Sequence, residues 1–254
     1  MSQAAFVTGA RRGIGAAIAL ALASEGFDVA VNDLGASDDL LAVAAEIRRM
    51  GCRAIAIAGD IARREGHGRM LDEAEATLGP LTTLVNNAGV SVLSRGDLLD
   101  VTEESYDRCL AINTRGSFFL TQAFAKRLLQ RARSQAHHSI INITSANANA
   151  VSIARGEYCI SKAGASMASK LFAARLGNDG IGVYEIQPGF IATEMVAPAR
   201  ARYDKLIDEG MTVIKRFGQP QEVGRIAATL AMGLLPYTVG QAILADGGLM
   251  QVRY

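Results

Sequence analysis

The sequence predicts a doubly wound α/β fold, in which a mainly parallel sheet of seven strands is covered by helices on both faces. Short runs rich in Val and Ile alternate with longer Ala- and Leu-rich helical patterns along the chain. Half of the 254 residues are hydrophobic, enough for a core on each face of the sheet. Because no linker, repeat or low-complexity tract interrupts this alternation, we interpret residues 1–254 as a single domain.

The alternation places each element in order. The predicted strands are Ala4–Thr8, Asp28–Asn32, Ala54–Ala58, Thr83–Asn87, Ser139–Thr144, Gly182–Gln187 and Ala242–Ala245. The predicted helices lie near 13–25, 38–50, 65–78, 104–131, 152–177 and 220–234. Strands separated by helices pair in parallel through right-handed crossovers. In such a sheet, ligands bind beyond the carboxyl ends of the strands, where the strand order switches.

A glycine-rich turn follows the first strand and opens the first helix. Gly9, Gly13 and Gly15 have the spacing Gly-x3-Gly-x-Gly, which meets the general dinucleotide fingerprint only loosely. Glycines allow the backbone to approach a pyrophosphate, and the start of a helix presents unpaired N–H groups to it. The turn therefore predicts an anion cradle.

Asp33 extends this prediction to the nucleoside. It lies 18 residues after Gly15 (33 − 15), close to where an acidic residue binds ribose hydroxyls. Its carboxylate suits NAD and would repel the 2′-phosphate of NADP, by about 4 kcal/mol per charge pair at ~4 Å with an effective dielectric of ~20, an energy that solvent reduces. Arg11 and Arg12 are positively charged and favour the opposite choice. We expect NAD, with NADP as the alternative.

Tyr158 and Lys162 provide candidate acid–base chemistry. They lie four residues apart in an Ala-rich segment that predicts a helix, so their side chains share one face. A phenol ionises near pH ~10, and a neighbouring cation lowers that pKa. We expect Lys162 to bring the pKa of Tyr158 toward neutrality, so that Tyr158 exchanges protons with a substrate oxygen. Since this spacing also occurs by chance in surface helices, the pair depends on the surrounding motifs.

Taken together, these motifs resemble the single-domain branch of the short-chain dehydrogenase/reductase family, which has a Rossmann fold. The matching residues are Thr8-Gly9-x3-Gly13-x-Gly15, Asp60-Ile61, Asn86-Asn87-Ala88-Gly89, Asn113, Ser145, Tyr158-x3-Lys162 and Pro188-Gly189. The resemblance extends from Thr8 nearly to the C-terminus. It implies an NAD(P)-dependent oxidoreductase that interconverts a secondary alcohol and a ketone.

The resemblance also assigns roles to individual residues. Tyr158 is the implied acid–base group, Ser145 polarises the substrate oxygen, and Lys162 stabilises the phenolate and binds the nicotinamide ribose. Asn113 is implied to hold a water in a proton relay to Lys162, and Asn86 to hold strands together. The implied cofactor contacts are Gly9, Arg11, Arg12, Gly13, Ile14, Gly15, Asp33, Leu34, Asp60, Ile61, Asn87, Ala88, Gly89, Tyr158, Lys162, Gly189, Ile191 and Thr193. Residues at about 193–215 are expected to form a substrate lid.

The substrate is less closely defined. The chain is most similar to members that are 3-oxoacyl-[acyl-carrier-protein] reductases, while Asp33 favours a catabolic dehydrogenase of sugars, polyols or hydroxy acids. Arg155 could meet an anionic substrate, although a solvated surface arginine is the favoured interpretation. A non-catalytic nucleotide-binding regulator is a remote alternative, because such proteins typically lose the tyrosine or lysine. The resemblance implies a homotetramer or a dimer, formed by helices 104–131 and 152–177.

Composition excludes other classes of function. A net charge of +1 argues against nucleic-acid and acidic-membrane partners. No apolar run reaches the ~18 residues that span a bilayer, and no leader precedes the first strand. The three cysteines have neither disulfide-like nor metal-like spacing, so we expect a reducing, cytoplasmic location and no catalytic metal.

Overall fold

The sheet has the predicted number of strands and the predicted direction. The computed structural model describes residues 3–131 and 136–252. Within them, seven parallel strands form one sheet in the order β3-β2-β1-β4-β5-β6-β7. Their bounds are β1 (Ala4–Thr8), β2 (Asp28–Asp33), β3 (Ala54–Ala58), β4 (Thr83–Asn86), β5 (His138–Ile143), β6 (Ile181–Pro188) and β7 (Ala242–Ala245). The strand order switches between β1 and β4, which places the ligand crevice there.

Eight α-helices accompany the sheet in the described residues. They are α1 (Gly13–Ser24), α2 (Asp38–Arg49), α3 (His67–Leu78), α4 (Glu103–Leu110), α5 (Ser117–Gln130), α6 (Gly156–Leu176), α7 (Arg200–Asp208) and α8 (Pro220–Ala231). Apolar residues of α1, α2 and α8 pack on one face of the sheet, and those of α3, α5 and α6 pack on the other. The doubly wound fold is therefore confirmed.

Alternation along each buried strand explains the two cores. In β1, Ala5 and Val7 belong to the core beneath α1, α2 and α8, whereas Ala4 and Phe6 belong to the opposite core. Because successive side chains of a strand point to opposite faces, a strand buried on both sides is continuously apolar. This is the pattern that the sequence shows.

Two helix predictions differ from the structure. The helix expected over 104–131 is divided into α4 and α5 by a π-helical turn, Ala111–Gly116. A Cβ on Gly116 would lie 2.7 Å from the Ile61 carbonyl oxygen, so the turn brings this backbone against a neighbouring loop. The helix expected from residue 152 begins at Gly156, after the 3-10 turn Ile153–Arg155.

The segment predicted as a lid contains regular structure. A 3-10 helix, Glu194–Ala199, leads into α7. Tyr203 and Ile207 of α7 pack with Phe217, and the Tyr203 ring stacks on Phe190 at 4.5 Å between centroids. This small cluster fixes α7 beside the carboxyl end of β6. None of the helices in the described part of the chain is long and apolar enough to cross a membrane.

Candidate active site

A cleft of about 1030 Å³ opens at the carboxyl ends of the strands. Every predicted catalytic or cofactor-binding residue except Asn113 lines it. The glycine turn and Asp33 lie at one end, whereas Ser145, Tyr158 and Lys162 lie at the other. The sheet thus brings together groups that are more than a hundred residues apart in sequence.

The backbone of the glycine turn is too close to its neighbours, and too unusual in conformation, for residues with a Cβ atom. Gly9 and Gly13 have positive φ values, +63° and +57°, which side chains rarely adopt. A Cβ on Gly15 would lie 2.2 Å from the Gly9 carbonyl oxygen and 2.4 Å from Asn87 Nδ2. At the start of α1, Arg12 makes no side-chain capping hydrogen bond and the first turn carries no acidic residue. The N–H groups of this turn are therefore suited to a pyrophosphate.

Hydrogen bonds between β1 and β4 hold the cradle in place. Asn87 Nδ2 donates to the carbonyl oxygens of Thr8 and Gly9, at 2.8 and 3.0 Å. Thr8 Oγ1 accepts from the backbone N–H of Asn87 and of Ala88, both at 3.0 Å. On the next pair of strands, Asn86 Nδ2 donates to Asn142 Oδ1 at 2.8 Å, which ties β4 to β5 as expected.

The charged residues at the nucleoside end are partly engaged with one another. Asp33 Oδ1 accepts from the Leu34 N–H at 2.8 Å, and its Oδ2 lies 3.9 Å from Arg11 Nε. Arg11 Nε is buried and has no hydrogen-bond partner among the described residues. Arg12 forms an ion pair with Glu194 of the predicted lid. Asp33 therefore keeps acceptor capacity in the cleft, while Arg12 is held by a carboxylate.

Tyr158 and Lys162 project into the cleft from the same face of α6. Lys162 Nζ donates to the Ile143 carbonyl oxygen at 3.0 Å and lies 5.8 Å from the centroid of the Tyr158 ring. Tyr158 is 7% exposed and Lys162 is 6% exposed. Both headgroups are thus removed from bulk water.

Burial shifts the pKa of Tyr158 in the direction opposite to the one expected. Loss of solvation raises the pKa of Tyr158 above its ordinary value, and hydrogen bonding to Ser145 and the charge of Arg155 oppose that effect. Burial also lowers the pKa of Lys162 to about 8, against the attraction of Glu185. The expectation that Lys162 brings the Tyr158 pKa toward neutrality is therefore wrong for this structure, because desolvation outweighs the nearby charges. The phenol is protonated at neutral pH.

Asn113 lies in the π turn and is 3% exposed. Its Oδ1 accepts from the Val90 N–H at 2.8 Å, and its Nδ2 donates to the Val90 carbonyl oxygen and to Ser161 Oγ. A Cβ on Gly89 would lie 3.1 Å from Asn113 Oδ1 and 3.4 Å from Lys162 Nζ, so Asn113 and Lys162 flank Gly89. The side chain fixes the loop after β4, and its part in a proton relay stays a prediction.

A buried carboxylate beneath Lys162 was missed in the sequence. Glu185 of β6 is fully buried and accepts hydrogen bonds from Thr144 Oγ1, Ser166 Oγ and Gln187 Nε2. Its negative charge favours the Lys162 ammonium. A glutamate inside a strand that is otherwise mostly apolar was the available signal, because a buried charge requires partners.

Arg155 is not the solvated surface arginine that was expected. It lines the cleft, and its Cζ lies 5.2 Å from the centroid of the Tyr158 ring. Its Nη2 donates to Asn147 Oδ1 at 2.7 Å, whereas its Nε is buried and has no hydrogen-bond partner in the described part of the chain.

Comparisons with known proteins identify the family of the chain. A family model described as Enoyl-(Acyl carrier protein) reductase matches residues 9–250. The 3-oxoacyl-[acyl-carrier-protein] reductase FabG of Staphylococcus epidermidis is 36% identical over 251 residues, covering 98% of this chain and 99% of that protein. The chain belongs to the short-chain dehydrogenase/reductase family.

Solved structures give the same result. The 3-oxoacyl-[acyl-carrier protein] reductase of Brucella melitensis in complex with NAD has a TM-score of 0.96 and 39% identity, covering 100% of this chain and 99% of that chain. A blue fluorescent protein from a metagenomic library, in complex with NADPH, has a TM-score of 0.87 and 32% identity, covering 97% of each chain. The chain is accordingly an NAD(P)-dependent oxidoreductase of this family.

Proposed function

We propose that the protein interconverts a secondary alcohol and a ketone of the 3-oxoacyl type, with NAD(H) as the preferred cofactor. The observation that carries this proposal is the convergence of Ser145, Tyr158 and Lys162 in the same cleft as the glycine cradle. A bound nicotinamide supplies or accepts the hydride. The positive φ of Gly9 and the close approach at Gly15 support a dinucleotide in this cradle.

Tyr158 is the proposed acid in the reductive direction. Because burial raises its pKa, the phenol carries its proton at neutral pH and donates it to the carbonyl oxygen. Ser145 Oγ accepts from the Asn147 N–H at 3.1 Å, and its hydrogen bond with Tyr158 keeps the Ser145 hydroxyl beside the phenol, where it can bind the same substrate oxygen. In the oxidative direction, the phenolate removes the proton of the alcohol.

Lys162 compensates the charge that forms on Tyr158. When the phenol has donated its proton, an ammonium 5.8 Å from the ring stabilises the phenolate in a site with little water. With a pKa of about 8, Lys162 is charged at neutral pH and can also release a proton. Glu185 favours the charged form. In this proposal Tyr158 transfers the proton and Lys162 stabilises the phenolate that the transfer leaves.

The preference for NAD rests on Asp33. Its carboxylate lines the cleft and has one N–H donor, that of Leu34, so it can accept from ribose hydroxyls. Its negative charge disfavours a 2′-phosphate. The ion pair between Arg12 and Glu194 weakens the argument for NADP, because this guanidinium already has an anionic partner.

The likeness to 3-oxoacyl reductases supports a 3-oxoacyl substrate. Residues 193–215 close the substrate end in this proposal, because Met195, Val196, Tyr203 and Met211 line the cleft from that segment. We regard the chain as one domain, since residues from both ends of the sheet order line the same cleft.

A homotetramer or dimer and a cytoplasmic location complete the proposal. Ile160, Met167 and Leu171 of α6 are about half exposed, at 49%, 54% and 58%. Their spacing of seven and four residues places them on one side of the helix, away from the cleft. An apolar stripe of this kind supports a subunit contact through α6.

Turnover tests the proposal directly. Absorbance at 340 nm, with NADH or NAD⁺ and a panel of ketones and secondary alcohols, should reveal a substrate. We expect Tyr158→Phe to reduce kcat by at least about a hundredfold, the scale of general acid catalysis, and to leave NADH binding unchanged. Tyr237→Phe, at a fully exposed tyrosine, is the matched control. Wild-type-like turnover by Tyr158→Phe would contradict the assigned role.

A further inference from the structure

The guanidinium of Arg155 lies beside the reacting groups with a donor to spare. Its Nη2 donates to Asn147 Oδ1, while its Nε is buried and finds no hydrogen-bond partner within residues 3–131 and 136–252. Buried donors in folded proteins are nearly always paired, so this guanidinium, which belongs to a residue of the cleft wall, has capacity for a further acceptor. The Cζ atom is 5.2 Å from the Tyr158 ring centroid, which puts that acceptor close to the substrate carbonyl.

No carboxylate among the described residues forms an ion pair with Arg155. None of the ion pairs in residues 3–131 and 136–252 includes Arg155, Arg95 or Arg202, and all three arginines line the cleft. Arg95 donates to the Tyr203 hydroxyl oxygen at 3.1 Å, and Arg202 is exposed on α7. Glu194, an acidic residue of the lid that lines the cleft, is bound to Arg12. The substrate end is therefore positively charged.

We propose that the natural substrate is a small 3-oxo or 3-hydroxy acid whose free carboxylate binds Arg155. This inference rests on the alcohol–ketone oxidoreductase function proposed above and narrows its substrate. In reduction, C3 gains a hydride from the reduced nicotinamide and the C3 oxygen gains the proton of Tyr158. The carboxylate is unchanged and serves only as the anchor.

The distance from Arg155 to Tyr158 limits the length of the substrate. A carboxylate accepts from a guanidinium at about 2.8 Å, and a carbonyl oxygen accepts from a phenol at about 2.7 Å. With the two donors on adjacent side chains, the two acceptors lie only a few bonds apart, as they do in a 3-oxo acid. A carrier thioester has a neutral carbonyl at the position of this carboxylate, and it would leave the charge of Arg155 uncompensated.

Arg155 could instead act only on Tyr158, since its charge opposes the raised pKa of the phenol. The two roles have different kinetic consequences. An effect on the phenol alters the turnover of every substrate alike, whereas an anchor affects only substrates that carry the anion.

The test compares 3-hydroxybutanoate with its methyl ester, which has the same carbon skeleton without the charge. Initial rates with NAD⁺ and with NADP⁺ give kcat/KM for the wild type, Arg155→Gln and Arg155→Lys. Arg225→Gln removes one positive charge from an exposed position of α8 and serves as the control. Circular dichroism checks that each variant is folded.

We expect the wild type to favour the acid, and Arg155→Gln to lower kcat/KM for the acid by about 10- to 100-fold, mainly through KM. In Arg155→Gln, kcat/KM for the ester should change by less than about threefold. Arg155→Lys should recover part of the loss with the acid, and Arg225→Gln should have the kcat/KM values of the wild type. Equal losses for acid and ester would overturn the inference in favour of an effect on Tyr158. A wild type that favours the ester, or that oxidises neither compound, would overturn it too, while the wider alcohol and ketone panel still decides the proposed function.

Discussion

Lys162→Met removes a buried ammonium while keeping an unbranched side chain. The pKa of Lys162 falls from 10.5 to about 8 on burial, and each unit of pKa corresponds to about 1.4 kcal/mol. The difference, 10.5 − 8, thus amounts to about 3 kcal/mol against the charged side chain in the folded state. The lost hydrogen bond to Ile143 offsets part of the gain. We expect the variant to raise the free energy of unfolding by about 1–3 kcal/mol at pH 7.

The dependence on pH separates this effect from ordinary repacking. The pKa of Lys162 is lower in the folded state, so its ammonium destabilises the fold by the full amount at any pH below about 8. This destabilisation disappears as pH rises from about 8, the folded pKa, to 10.5, the ordinary pKa. Urea unfolding of both proteins at several pH values between 7 and 9.5 measures the difference, in which shared titrations cancel. We expect the advantage of the variant to shrink by about 2 kcal/mol between pH 8 and 9.5.

Two results would refute this reasoning. A stability difference that is the same at every pH would mean that Lys162 titrates alike in both states. A variant that is less stable than the wild type at pH 7, by an amount that grows with pH, would reverse the sign. The same variant should also lose most turnover, because nothing then stabilises the Tyr158 phenolate. Stability gained together with activity lost is the pattern expected of a catalytic charge held in a dry site.

Three further outcomes can be stated from the structure. Gly15→Ala should weaken NADH binding at least about tenfold in a fluorescence titration, because the added Cβ would clash with the Gly9 carbonyl oxygen. Gly68→Ala, at a position with open space around it, is the control, and equal NADH affinities of the two variants would contradict the cradle. Asp33→Ser should raise the NADPH-to-NADH ratio of kcat/KM by about tenfold, and an unchanged ratio would remove the basis for NAD preference. Light scattering should show a dimer or tetramer that Met167→Glu dissociates, whereas a monomeric wild type at micromolar concentration would refute the α6 contact.

The fold could be predicted because its determinants are local. Val and Ile runs mark strands buried on both faces, and the predicted β3 and β7 end at the same residues as in the structure. The glycine turn was also predictable, since positive φ at Gly9 and Gly13 requires that residue type. These features depend on residue type and spacing within about ten residues, which a single sequence displays.

Features set by contacts between distant segments could not be predicted. The π turn that holds Asn113 depends on the approach of Gly116 to Ile61, and helical periodicity does not register it. The helix α7 is strongly polar and depends on packing of Tyr203 against Phe190. Glu185 was hidden because its partners Thr144 and Ser166 come from other elements. In each case the decisive contact joins residues at least 13 positions apart (203 − 190), beyond the range of local sequence patterns.

The acid–base pair shows why residue identity alone does not fix chemistry. Spacing placed Tyr158 and Lys162 on one face of a helix, and the structure agrees, yet spacing does not reveal how much water each headgroup loses. Burial raises the pKa of Tyr158 and lowers that of Lys162, so it disfavours the charged form of both. In such a pair the phenol stays protonated until it transfers its proton to the substrate oxygen. Reduction of a ketone begins from that state, whereas oxidation of an alcohol must first remove the phenol proton. We therefore expect kcat/KM for oxidation to rise with pH above neutrality, while kcat/KM for reduction falls as Lys162 loses its proton above pH of about 8.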